Sequence, residues 1–274
     1  MGGKVDKLIE RLAVKPGKRI RLKNIDASDT SGLKDKEEAA ELLAKNTTRM
    51  GELQHLLYAE NTRSLLIIFQ AMDSGGKDGT IRHVMTGVNP QGCRVVSFKA
   101  PSAEELDYGF LWRIHRAIPP KGEIGIFNRS HYEDVLVVRV HNIVPKKIWQ
   151  ARYEQINAFE KLLCDSGMVI IKFFLHISKD EQKQRLQERL DDPSKHWKFD
   201  PSDLSEREHW DDYMEAYEDV FEKCNTKCAP WYIIPANKKW FRNLAVSQII
   251  VETLESLDMQ YPEPKNGVAS LKVD

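Results

Sequence analysis

Apolar residues along this chain follow two rhythms, and their succession predicts a layered α/β fold. From Lys36 to Tyr58 the apolar positions Ala40, Leu43, Met50, Leu53 and Leu57 recur at helical spacing, as expected of a helix that buries one face. The run Leu65 to Ile68 is continuous instead, which suits a strand covered on both sides. Further strands are expected over Cys93 to Phe98, Glu123 to Asn128, Met168 to Ile177 and Trp231 to Ile234. Between them the pattern predicts helices over 103–117, ending before Pro119-Pro120, over 146–165, closed by Gly167, and over Lys179 to Leu190, 203–223 and 240–257. Strands alternating with helices of this length imply parallel strands joined by crossovers. The expected fold class is α/β, a three-layer sandwich whose central parallel sheet is flanked by helices. In such sheets ligands gather at the carboxyl ends of the strands.

The first strand breaks into a glycine-rich turn with one lysine, Ala71-Met72-Asp73-Ser74-Gly75-Gly76-Lys77-Asp78-Gly79-Thr80. Glycines let such a turn expose its backbone N–H groups to an anion, and Lys77 adds a mobile positive charge. A helix starting near Thr80 would aim the positive end of its dipole at the same ligand. The strict phosphate-loop pattern G-x-x-x-x-G-K-[ST] fails, because Ala71 stands at the first glycine and Asp78 follows the lysine. In the standard loop the missing hydroxyl holds magnesium, so the metal needs another ligand, and Asp73 is the nearest candidate.

A second polar cluster, Asn128-Arg129-Ser130-His131-Tyr132-Glu133-Asp134, follows the strand at 123–128. In a phosphate-loop protein this strand carries a carboxylate toward magnesium, a duty open to Asp134 or Glu133. Arg129 is suited to grip a phosphoryl group with its planar fork. The alternative is a strand end capped by Asn128 and Ser130, with Glu133 and Asp134 as first-turn helix charges. His131 is expected to pack or hydrogen-bond, since transfer to an anionic acceptor needs no strong base. In a third cluster Arg185 and Arg189 share one helix face, and Pro193 then opens a loop carrying Lys195 and Lys198. That hairpin, about 183–205, is expected to act as a lid; the alternative is a surface helix whose arginines pair with Glu181, Glu188 or Asp192.

Composition narrows the setting. The 41 basic and 41 acidic residues cancel, so no bulk field draws the molecule to nucleic acid or a membrane, and any anion site must be local. No apolar run approaches the ~18 residues of a membrane span, and charges in MGGKVDKLIERL interrupt any signal peptide. A cytoplasmic protein of one domain over 1–274 is expected, with an N-terminal arm at 1–35 whose basic stretch Lys15 to Lys23 faces solvent. Cys93, Cys164, Cys224 and Cys228 lack the spacing of a zinc site and are expected to be free thiols.

The chain resembles the polyphosphate kinase 2 family of the P-loop kinase superfamily, distantly similar to thymidylate kinases. The resemblance is carried by QAMDSGGKDGTIRHVM at 70–85, FLWRIHRAIPPKGEIGIFNRSHYEDVLVVRV at 110–140, KFFLHISKDEQKQRLQERLDDPSKHWKF at 172–199 and APWYIIPANKKWFRN at 229–243. The Glu133-Asp134 pair after His131-Tyr132 is similar to the subgroup that phosphorylates both AMP and ADP, class III. The resemblance implies a P-loop kinase-like sandwich with a helical lid. It also implies reversible, Mg²⁺-dependent transfer of the terminal phosphate of inorganic polyphosphate to ADP and AMP, in a homo-oligomer, dimer or tetramer. Carried over by position, Asp73 and Asp134 would hold metal, Lys77 would grip the transferring phosphate, and Arg129 with Arg189 would neutralise transition-state charge. Nucleotide or phosphate contacts would fall to Ser74, Gly75, Gly76, Asp78, Gly79, Thr80 and Arg82 in the loop and helix. Asn128, Tyr132, Glu133, Arg185, Lys195 and Lys198 would add others, and basic residues at 18–23 would help line the polyphosphate channel. The competing readings are an ATP-dependent nucleotide kinase and a non-catalytic nucleotide-binding regulator.

Overall fold

In the computed structural model, which describes residues 8–264 and Val268, five parallel strands form one sheet in the order β2-β3-β1-β4-β5. They are β1 (Ser64–Gln70), β2 (Cys93–Ser97), β3 (Ile124–Asn128), β4 (Met168–His176) and β5 (Trp231–Pro235). All seven residues of β1 are buried, so helices cover both faces of the sheet at its centre, and the continuous apolar run has its physical reason. β2 is an edge strand and mostly half-exposed or exposed. Phe69 stacks on Phe173 across the β1–β4 pair, with ring centroids 5.3 Å apart. Among the described residues no helix is long and apolar enough to cross a membrane.

Helices form two packed groups. Lys239–Glu255 packs against both Lys36–Glu60 and Lys77–Val84, while Lys146–Asp165 and Trp210–Lys223 contact each other in the other group. Lys36–Glu60 starts where Asp35 accepts from the amides of Glu37 and Glu38, and ends at Asn61 in the left-handed region.

Three departures from the periodic reading have local causes. The helix expected to begin near Thr80 begins at Lys77, because Gly76 already supplies the turn. The segment 103–117 is two helices, Ala103–Leu106 and Trp112–Ala117, split around Gly109, whose carbonyl accepts from Trp112 at 2.8 Å. The segment 203–223 breaks at His209 into Ser202–Glu208 and Trp210–Lys223.

The N-terminal arm is only partly solvated. Its first residues, 1–7, lie outside the described residues. Leu8, Leu12, Val14 and Leu22 are buried, and Val14 donates to the Trp231 carbonyl at 2.9 Å. Lys15 to Arg19 face solvent, as expected, while Arg21 pairs with Glu218 at 2.7 Å. The four cysteines are free thiols.

Candidate active site at the carboxyl edge of the sheet

β1 ends at Gln70, and the chain turns sharply as Gly75 N–H donates to the Met72 carbonyl at 2.9 Å. Ser74 at φ 61° and Gly76 at φ 97° hold left-handed backbone, a conformation that strains Ser74 and suits glycine. A Cβ on Gly76 would also collide with the Arg242 guanidinium, and one on Gly75 would meet the Met72 carbonyl at 2.8 Å. Thr80 N–H closes the first helical bond onto Gly76 at 2.9 Å, leaving the amides of Lys77, Asp78 and Gly79 without a partner inside the helix. The hydroxyl of Ser74 is buried and unpartnered. Lys77 Nζ donates to the Ala71 carbonyl at 3.1 Å. Burial, then the Arg129 charge, lowers the Lys77 pKa against the opposing pull of Asp73 and Glu133.

Neighbouring β3 delivers Arg129, whose amide donates to the Phe69 carbonyl at 3.1 Å and whose φ is 62°. Strained backbone at two facing positions, Ser74 and Arg129, is typical of a site fixed by its surroundings. The Arg129 guanidinium donates to Asp73 at 2.9 Å. Glu133 lines the same cavity as Asp73 and Arg129. Burial raises the Glu133 pKa against Arg129 and Lys77, and Gln70 hydrogen-bonds its carboxylate.

Several expected residues lie elsewhere. Asp134 is turned away from Asp73 and held by Arg152 Nη1 at 3.0 Å, and it lines neither cavity. Successive side chains of the 3-10 turn His131–Val135 diverge, so of the two carboxylates it is Glu133 that faces the site. Tyr132 is fully buried, donating to Glu160 at 2.8 Å and accepting from Lys172 at 2.8 Å, and makes no part of the cleft. Thr80 is buried, and its hydroxyl donates to the Gly76 carbonyl at 2.9 Å. Asn128 donates to Asp78, an internal link between the two clusters. His131 hydrogen-bonds Glu160 at 3.2 Å in the buried core, as its packing role required. Residues 18–23 line neither cavity.

The hairpin lies over the loop. Arg185 pairs with Glu181 at 2.7 Å, as the surface-helix alternative had it, but also donates to the carbonyls of Ser74 (3.1 Å) and Ala236 (2.6 Å). It ties the glycine loop to the end of β5. Arg189 reaches Asp203 at 3.3 Å and the Lys198 carbonyl at 3.2 Å. Lys195 pairs with Asp192 at 2.8 Å, and Lys198 lies over the Trp197 ring.

Together these groups line two cavities that share Asp73, Arg129 and Asp203. The larger, about 900 Å³, is lined by nine basic and four acidic side chains and takes in Ser74 to Gly79, Arg82, Arg185, Arg189, Lys195 and Lys198. The smaller, about 350 Å³, is lined by Glu133, Asp200, Glu206, Tyr213 and Tyr217. Sequence reasoning missed Lys99, Trp197, Lys239 and Asp203, all of which line the larger cavity. It also missed Arg242, which is buried beneath Gly76 and hydrogen-bonds Asn243. Burial, then Arg185, brings the Arg242 pKa down to about 10. The string at 229–243 that carries the resemblance contains Lys239 and Arg242, with no role in the site assigned to either.

The donor set suits a hard cation. Among the described residues no three His, Cys, Asp or Glu side chains are grouped to hold a metal. Magnesium asks for less, since it commonly binds one or two carboxylates and completes its shell with water and substrate phosphates. Asp73 and Glu133, both oxygen donors on one cavity wall, fit that requirement.

Comparison with known proteins places the geometry in context. The family model described as Polyphosphate kinase 2 (PPK2) matches residues 33–262. An AMP/ADP-polyphosphate phosphotransferase of Meiothermus ruber is 55% identical over 267 residues, which is 97% of this chain and 100% of that protein. An ADP-polyphosphate phosphotransferase of Rhodopseudomonas palustris is 52% identical over 240 residues, 83% of each chain. The crystal structure of polyphosphate kinase 2 from Arthrobacter aurescens TC1 superposes with a TM-score of 0.92 at 45% identity, over 96% of this chain and 94% of that one.

Proposed function

The chain belongs to the polyphosphate kinase 2 family, and from that premise we propose that this phosphotransferase moves the terminal phosphate of inorganic polyphosphate to ADP and AMP. The products are ATP and ADP, and the reaction is reversible. The relative named for AMP and ADP, with which this chain shares 55% identity, supports both acceptors. The observation that carries the reading is the excess of nine basic over four acidic side chains around one cavity in a molecule whose 41 basic and 41 acidic residues cancel.

In-line transfer between two anions is chiefly a matter of position and charge. The amides of Lys77 to Gly79 and the Ser74 hydroxyl meet donor phosphates, and Lys77 leaves the Ala71 carbonyl to follow the moving group. Arg129, braced by Asp73, presents two parallel donors to the phosphoryl oxygens. Arg189, Lys195 and Lys198 add charge from the hairpin, which closes to exclude water. Asp73 and Glu133 would hold Mg²⁺, and that ion supplies charge neutralisation across the reacting phosphates. The remaining acidic and aromatic wall of the smaller cavity, Tyr213 and Tyr217 included, bounds the acceptor side.

The test supplies ADP or AMP with polyphosphate and Mg²⁺ and follows product by chromatography. ATP from ADP and ADP from AMP are expected, with both lost on chelation. A preference for ATP over polyphosphate as donor to AMP would establish the ordinary nucleotide kinase instead, and ligand binding without product would establish a regulator.

A further inference from the structure

A lysine on a central strand that reaches neither water nor substrate has no place in the chemistry above. Lys172, on β4, is fully buried, and all three of its N–H groups are used. They go to Glu160 at 2.6 Å, to the Tyr132 hydroxyl at 2.8 Å and to the Cys224 carbonyl at 2.8 Å. Glu160 in turn accepts from Tyr132 at 2.8 Å and hydrogen-bonds His131 at 3.2 Å. A buried ion pair is a poor way to add stability, since apolar residues of similar volume usually serve as well. What it adds is direction, because each bond fixes an angle as well as a distance.

Its partners show where that direction is used. Tyr132 and His131 are the two residues before Glu133, and Asp134, the residue after it, is held by Arg152 through both its carboxylate and its carbonyl at 3.0 Å. Glu160 and Arg152 lie on one helix, Lys146–Asp165. The 3-10 turn His131–Val135 has the weak internal bonding of its kind, yet it is gripped on both flanks of a single residue. That residue is Glu133, which lines the smaller cavity beside Arg129 and interacts with Arg129, Lys77 and Gln70.

We propose that Lys172, Glu160 and Tyr132, with Arg152 on the opposite flank, are positioning residues that aim Glu133 at the reacting phosphates. The proposal rests on the function proposed above and adds a second tier of residues to it. None of the four touches substrate. Each acts through the carboxylate between them, and the helix Lys146–Asp165 is the frame from which the turn is held.

A double-mutant cycle tests it. Tyr132→Phe, Glu133→Gln and the double variant are assayed for kcat and KM with ADP and polyphosphate, and each is melted to verify folding. Tyr132→Phe is expected to lower kcat roughly tenfold, short of the ~hundredfold that a full ångström of misplacement can cost, with KM for polyphosphate within about twofold of the parent. The double variant is expected to be no slower than Glu133→Gln alone, because a residue that acts through Glu133 has nothing left to act on. Losses that simply add would overturn the proposal, as would an unchanged kcat in folded Tyr132→Phe. Arg152→Ala, which loosens the other flank, serves as the second variant should Tyr132→Phe not fold, with the same two outcomes. Parental kcat in Glu133→Gln would sink the aiming role while leaving phosphotransfer intact. Should the parent protein transfer no phosphate, the functional reading fails and hydrogen exchange decides the positioning. Faster exchange at 131–135 in Tyr132→Phe, with β4 unchanged, supports the grip, and identical exchange overturns it.

Discussion

The two cavities that meet at Asp73 and Arg129 are built in opposite ways. The larger is walled by long cationic side chains, among them those of the glycine loop, the helix Lys179–Asp191 and the 3-10 turn Pro193–Lys198, with Trp197 79% exposed at its rim. The smaller is walled by short carboxylates and by Tyr213 and Tyr217, both buried on the helix Trp210–Lys223. A lining rich in cations favours a polyanion through its charge more than through one fixed shape. Fixed rings and carboxylates suit one defined occupant and its cation. The same sheet edge thus carries a cationic lobe and an acidic, aromatic one, and the difference follows from which elements supply the walls.

Substitutions at the junction of the lobes should have the largest effects. Lys77→Ala is expected to lower kcat/KM for ATP formation on the order of a thousandfold, as loss of a charge aimed at the transition state does. A tenfold loss or less would mean that Arg129 carries the phosphate alone. Asp73→Asn should lower turnover about a hundredfold at limiting Mg²⁺ and recover in part as Mg²⁺ rises. Parental activity at limiting Mg²⁺ would remove Asp73 from the metal site. Arg189→Ala should reduce kcat about tenfold with an unchanged melting temperature, and unchanged kinetics would take the hairpin out of the reaction.

Further out, Lys195→Ala and Lys198→Ala should each raise KM for polyphosphate about threefold and leave KM for ADP unchanged, an effect that fades with added salt. Equal increases in both constants would erase the functional division between the lobes. The smallest effect is one on stability alone, and it belongs to the buried Lys172–Glu160 ion pair. Burial pushes the Glu160 pKa up, but Lys172 and the His131 bond outweigh it and hold it below the ordinary 4.5. A carboxylate depressed in the fold contributes stability above its unfolded pKa and loses it as pH falls through the folded one. Urea titrations should therefore show a loss of stability below about pH 4.5 that is shallower when Lys172 and Glu160 are replaced together by Met and Leu, the depressed Glu60, Asp192 and Asp200 keeping their own share. A slope that the replacement leaves unchanged would assign the acid sensitivity to those others.

How much of this was legible in the sequence depended on how far each residue's role is decided locally. The glycine loop could be read because strand, turn and helix start lie within residues 64–80, and Gly76 needs no distant partner to adopt its turn. Sheet and crossovers could be read for the same reason, from runs such as Leu65 to Ile68. Glu133 and Asp134 could not be told apart, because their directions are set by Arg152 and Glu160, eighteen and more residues away. Tyr132 was misassigned to the cleft by the same ambiguity. Arg242 escaped notice because it sits inside a regular helical pattern, and only packing brings it beneath Gly76. His209 breaks a helix that periodicity alone would continue.

The arginine beneath the loop has a thermodynamic consequence. Burial and, after it, the nearby Arg185 charge disfavour the charge on Arg242, whose side-chain bonds go to the neutral Asn243. An anion bound above the glycine loop would offset part of the cost of keeping that charge buried. A ligand that binds only the folded loop stabilises the fold by mass action, so the melting temperature is expected to climb as polyphosphate is added.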